Sequence, residues 1–118
     1  MYDEVHEILY ELDRSKGVLG SLVVSEDGML IASDLKVDMD EEVVAALGAT
    51  IVRRFREALS RIGGDPFIEG FIEASGGNLL FSQAGPNVLI VLTERGINIG
   101  FARLKIEEAR RKIEEVLK

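Results

Sequence analysis

The chain has 118 residues, 47% hydrophobic and 30% charged, with no cysteine; this excludes disorder, disulfides and cysteine-held metal centres, and fits one globular domain. Its net charge of −7 sits entirely in residues 1–40, which hold ten acids and three bases, and there is no tryptophan; a nucleic-acid partner, which needs a basic stripe and stacking aromatics, is not expected. No apolar run approaches the ~20 residues of a membrane span, and the acidic, amphipathic start "MYDEVHEILYELDRSK" is unlike a signal peptide, so a cytoplasmic location is the expectation.

Val5, Ile8, Leu9 and Leu12 recur at helical spacing and predict a first helix from about Asp3 to Ser15, stopped by Gly17. "VLGSLVVS" and "MLIAS" are β-branched apolar runs joined through Asp27-Gly28, a hairpin signal. Asp38 or Asp40 can cap a long helix over Glu41 to Ile62, ended by Gly63-Gly64-Asp65-Pro66. "FIEGFIEA", "NLLFSQA" and "NVLIVLT" follow as a meander, and Asn98 can cap a last helix with Ala102, Ile106, Ala109, Ile113 and Val116 on its apolar side. The order is α-β-β-α-β-β-β-α. "SLVVS" and "VLIVL" are apolar at successive positions, so both sheet faces need cover. A five-stranded antiparallel sheet between one long helix and two shorter ones satisfies this as an α+β, three-layer α/β/α fold.

The long helix carries two apolar stripes. At 100° per residue, Val44, Leu47, Gly48, Ile51, Phe55, Ala58, Leu59 and Ile62 form a broad one that is assigned to the sheet. Beside it run Ala45, Ala49, Val52 and the stem of Arg56, and beyond these Ala46, Thr50 and Arg53. Alanine is simply the best helix former, and a solvated face would accept it. Small residues one turn apart also let a second helix approach, and pairing with a second copy of the chain is the sharper expectation. The strand Phe67–Ala74 places Glu69 and Glu73 on one face and Ile68, Gly70, Ile72 and Ala74 on the other. At a sheet edge it is either protected by its charges or paired with its symmetry mate.

The element order, "GVLGSLVVSEDGMLIAS", the alanine-rich second helix and "NIGFARLKI" together resemble the roadblock/light-chain-seven domain family, a profilin-like fold, over essentially the whole chain. Gly17-Val18 with the Asp27-Gly28 turn, and Asn98-Ile99-Gly100, are the strongest pieces. The resemblance implies dimers formed through the second helix and third strand, with a sheet continuous across two subunits. The expected seam is then Ala45, Gly48, Ala49, Val52 and Arg56 on the helix with Phe67, Glu69 and Phe71 on the strand. Ala46, Ala49, Thr50 and Arg53 are the expected partner platform. The resemblance also implies a regulatory role: prokaryotic members bind small Ras-like GTPases, while eukaryotic relatives serve dynein or scaffold GTPase signalling. A homodimer that binds a small Ras-like GTPase is the leading expectation, and a structural or cargo adaptor without nucleotide dependence is the alternative.

Catalytic readings are weaker. No glycine-rich stretch matches G-x-x-x-x-G-K-[ST], so the chain is not itself a phosphate-loop GTPase. Asp38, Asp40, Glu41 and Glu42 suit a helix N-terminus better than a metal, and no calcium-loop spacing exists. Glu69 and Glu73 as a carboxylate pair, or Arg53 as a finger reaching a partner's phosphate, are both less economical than solvated side chains. The single histidine, His6, sits on a helix flank among charges. Neither enzymatic activity nor a cofactor or metal is expected.

Overall fold

The computed structural model describes residues 2–36 and 38–118. Eight elements follow in the expected order: α1 (Tyr2–Asp13), β1 (Val18–Ser25), β2 (Leu30–Leu35), α2 (Glu41–Ile62), β3 (Glu69–Ala74), β4 (Gly77–Ala84), β5 (Asn87–Thr93) and α3 (Ile99–Leu117). The strands make one antiparallel sheet in the order β2-β1-β5-β4-β3. β2 and β3, the strands that flank α2 in the chain, are thereby its two edges. α1 and α3 cover one face and α2 the other.

The run "NVLIVLT" explains the layering. Every residue of β5 is buried; Leu89 and Val91 pack toward α1 and α3, while Val88, Ile90 and Leu92 pack toward α2. Local chemistry fixes the joints. Gly28 takes φ 85° at the β1–β2 turn, a left-handed conformation glycine reaches without a Cβ penalty. Of the two candidate caps for α2, Asp40 is the one used: its Oδ1 accepts from the amides of Glu42 at 3.1 Å and Val43 at 3.3 Å. Asn98 caps α3 by accepting from the amide of Phe101 at 3.0 Å. The expected third strand is shorter than its apolar run, because Phe67 and Ile68 precede the ladder proper; Ile68 still accepts from the amide of Gln83 at 2.9 Å.

One expectation is corrected. The small-residue stripe of α2, assigned to a second copy, faces the sheet: Ala45, Gly48, Ala49 and Val52 are its buried residues. Of the stripe assigned to the sheet, Gly48 is buried there and Val44, Ile51, Phe55 and Leu59 pack against its core, whereas Leu47, Ala58 and Ile62 are exposed, Leu47 to 60% and Ile62 to 78%. The cause is close approach. A Cβ on Gly48 would lie 2.3 Å from Ile90 Cδ1, so only glycine lets the helix axis settle where it does, and only small neighbours fit beside it. Phe55 and Leu59 reach the core from the side of the helix; the Phe55 ring meets Phe81 edge-on at 5.8 Å and stacks with Phe67 at 5.9 Å.

On the opposite face a polar cluster is buried. Asp13, the last residue of α1, is 1% exposed. It accepts from the Ser21 hydroxyl on β1 at 2.8 Å and lies beside the Asp34 carboxyl on β2. Its Oδ2 has no hydrogen-bond partner among the described residues. The Lys36 ammonium turns back to the carbonyls of Asp13 and Val18. Burial above all, then the neighbouring Asp34 carboxyl, to which only the protonated form of Asp13 can donate, pushes the Asp13 carboxyl up to about 8 against the opposing pull of Ser21 and Lys36.

Candidate interaction surface

Two surfaces of α2 remain once its sheet face is removed, and they lie on opposite flanks. The apolar flank follows from the 100° period: Val44, Leu47, Ile51, Ala58 and Ile62 fall within about 60° of one another. Leu47, Ala58 and Ile62 are exposed, Val44 and Ile51 half-buried. Val43, 51% exposed, extends the flank across the crest. A helix that merely rests on a sheet carries polar residues there.

This flank lies on the β3 side of the helix. Gly70 of β3 has no Cβ because one would sit 2.7 Å from Phe55 Cε2. Ile72, on the same face as Gly70, is half-buried and packs against the α2 core with its cross-strand partner Leu79. On the other face of β3, Phe71 is 46% exposed, and Glu69 is ion-paired with Arg103 of α3. Ile68, just before the strand, is 71% exposed. β3 carries no neighbour on its outer side, so an apolar helix flank and an open strand edge are adjacent on one side of the molecule.

The second flank faces the β1–β2 turn. Gly28 abuts Ala49, whose Cβ would be 3.3 Å from a Cβ added to the glycine. Ala46, Thr50 and Arg53 are exposed and joined in a chain: Thr50 Oγ1 donates to the Ala46 carbonyl at 2.9 Å, and Arg53 Nη2 donates to Thr50 Oγ1 at 3.4 Å. Of the expected platform these three come together at the surface. Ala49 does not join them, being 7% exposed beneath the turn.

The expected seam is corrected residue by residue. Ala45, Gly48, Ala49 and Val52 are spent on the sheet. Phe67 is 6% exposed and buried in the same core. Arg56 is held within its own chain: it donates to Gln83, approaches Glu26 at 3.8 Å and lies 6.0 Å over the Phe67 ring. Glu69 and Phe71 stay at the surface of the edge strand. The apolar residues of α2 that the expected seam leaves out and the structure places on its outer flank are Val43, Leu47, Ile51 and Ile62. One signal was present, since a glycine inside a helix costs about 1 kcal/mol against alanine, and Gly48 in mid-helix therefore marks a close backbone approach.

The other candidates fall into local roles. Asp38 and Glu42 are exposed, Asp40 is the cap, and Glu41 accepts from the Ser33 hydroxyl at 2.5 Å. His6 is exposed on α1. No group of three or more histidine or carboxylate side chains that could hold a metal ion occurs among the described residues, and no described helix is long and apolar enough to cross a membrane.

The comparisons with known proteins agree with this architecture. A Methanocaldococcus jannaschii protein, MJ0714, is 36% identical over 109 residues, covering 92% of each chain. Among solved structures, Myxococcus xanthus MglB superposes with a TM-score of 0.92 at 22% identity, over 98% of this chain and 88% of that one. A roadblock/LC7 domain from Streptomyces avermitilis does so with a TM-score of 0.86 at 19% identity, over 95% and 96%. The family model for the Roadblock/LC7 domain matches residues 4–94, and the chain belongs to the Roadblock/LC7 domain family.

Proposed function

We propose that this protein is a cytoplasmic homodimer that regulates a small Ras-like GTPase by binding it, without catalysis of its own. The observation that carries the reading is the continuous apolar flank of α2, Val43, Leu47, Ile51 and Ile62, beside the open edge of β3. Such a surface is what a two-fold self-pairing needs: helix flank against helix flank, strand edge against strand edge. The family to which the chain belongs supports the partner class. The dimer presents two copies of the Ala46–Thr50–Arg53 flank, a convex surface with a cationic rim that suits an acidic protein face better than a small molecule, which wants a concave pocket. Regulation then requires the dimer to prefer one nucleotide state of the partner, because a ligand with equal affinity for two states shifts neither.

Light scattering on the wild type and on Leu47→Glu tests the dimer, with circular dichroism as the check on folding. The wild type is expected to run as a dimer and the variant as a folded monomer; a variant that stays dimeric removes this seam. Affinity for purified Ras-like GTPases of the source organism, each loaded with GDP or a GTP analogue, tests the role. A preference of tenfold or more between the two forms is expected. Equal affinities would leave a structural adaptor in place of a regulator.

A further inference from the structure

We propose that the opposite edge of the sheet, β2, is a docking site for a basic, extended polypeptide segment of a partner, which adds to the sheet as a further strand. Three independent observations meet there. The first is the backbone. Lys36 N donates to Leu19 O at 2.9 Å, and the register pairs Leu35 with Gly20, Asp34 with Ser21 and Ser33 with Leu22. Backbone bonding alternates along an antiparallel strand, so Asp34 turns its amide and carbonyl toward β1. Those of Ser33 and Leu35 point outward, and no other described element hydrogen-bonds to them. The strand "LIASDL" has neither the proline nor the lysine with which exposed edges are commonly blocked.

The second observation is the rim. Asp13 faces Asp34 of β2, which fixes the flank of α1 that looks toward this edge. At 100° per residue, Tyr2, His6 and Tyr10 lie on that same flank. Tyr2 is 62% and Tyr10 58% exposed. Tyrosines are enriched where one protein meets another, because they offer large contact area and a polar tip.

The third observation chooses the occupant. Residues 41–118 hold eleven acids and eleven bases, so the whole net charge of −7 belongs to residues 1–40, the part of the chain that builds α1, β1 and β2. Asp38, Asp40 and Glu41 stand exposed where β2 leads into α2, while Lys36 is turned back onto the carbonyls of Asp13 and Val18. A second copy would bring the same acidic edge against this one, and juxtaposed like charges oppose such pairing. A segment with lysine or arginine alternating with β-branched residues satisfies the backbone, the rim and the charge together.

The test uses the full-length 15N-labelled protein and two synthetic heptapeptides, one alternating lysine or arginine with valine (KVRVKVR), the other glutamate with valine (EVEVEVE). With the basic peptide, the amide signals of Ser33 and Leu35 are expected to shift and their hydrogen exchange to slow by tenfold or more. The acidic peptide should leave both unchanged. Ser33→Pro removes an outward N–H and should abolish the effect; the double variant Asp38→Lys with Glu41→Lys leaves the backbone intact and should weaken the basic peptide at least tenfold. Leu47→Glu should bind the basic peptide as the wild type does, which separates this site from the α2 seam. Shifts confined to β3, equal binding of both peptides, or no response at Ser33 and Leu35 would each overturn the proposal. So would slowing of those amides with protein concentration alone, since that would make a second copy the occupant.

Discussion

Replacing Asp13 with asparagine should stabilise this protein at neutral pH. Asparagine has nearly the same shape, its oxygen can still accept from Ser21, and its amide can donate to Asp34 where the protonated carboxyl did. What it removes is a titration. In the unfolded chain the carboxyl ionises near 3.8, whereas in the fold it is pushed up to about 8. Between those values the folded state binds a proton that the unfolded state has released, so stability falls as pH climbs from about 4 to about 8 and then levels off. At about 1.4 kcal/mol for each tenfold in acidity, the ceiling on this penalty at pH 7 is about 4 kcal/mol. Relaxation of the surroundings lowers it, so Asp13→Asn is expected to gain roughly 1–3 kcal/mol at pH 7. Urea unfolding of both proteins at pH 4.5, 7 and 9, at one fixed protein concentration, reads the difference directly. The gain should be smallest at pH 4.5 and fully developed at pH 9. A variant that is less stable at pH 7, or a difference that does not change with pH, would show that Asp13 is ionised in the fold and the reasoning wrong.

Gly48→Ala should destabilise, although alanine favours helix, because the new methyl meets Ile90 Cδ1 at 2.3 Å; a loss of about 1–3 kcal/mol in urea unfolding is expected. Ala49→Arg should unfold the protein rather than split a dimer, since Ala49 is 7% exposed under the β1–β2 turn; loss of the circular dichroism signal distinguishes this from a folded monomer. Asp40→Ala removes the acceptor of two amides at the start of α2 and should cost about 1 kcal/mol, read as a lower urea midpoint with an unchanged slope.

The elements and their order were legible because their boundaries carry chemistry that acts locally. Asp27-Gly28, Asp40, Gly63 and Asn98 do their work within three or four residues of themselves, and sequence neighbours are all that such features need. The facing of α2 was only partly legible from periodicity, because an apolar flank adjoins its sheet face and Leu47 and Ile62 on that flank are larger than Ala45, Gly48 and Ala49 beneath the helix. Hydrophobicity alone puts all of the bigger stripe in the core and leaves the small residues outside. The depth at which the helix settles instead decides the matter, through Gly48 against Ile90, a contact between distant parts of the chain. The Asp13 cluster was hidden for the same reason: in sequence Asp13 and Asp34 are ordinary acids, and only the docking of α1 across β1 and β2 makes them neighbours.

The two edges of the sheet then differ in a way that bears on assembly. Next to β3, Glu69 is matched by Arg103, the adjoining α2 flank is apolar and Glu73 is the other exposed carboxylate of the strand, so bringing two such edges together opposes few charges. Next to β2 the exposed groups are acidic and Lys36 is withdrawn, so the same operation there would oppose carboxylates. Strand pairing by itself cannot distinguish one open edge from the other, since backbone groups are the same everywhere. The side chains around them can. On the two-fold pairing proposed above, this distribution of charge opposes a further copy at β2 more than at β3, which would favour a dimer over a growing ribbon of subunits. Reversing the charges with Asp38→Lys and Glu41→Lys should relax that restriction, and higher oligomers in light scattering at low salt, dispersing as salt is raised, would be its signature.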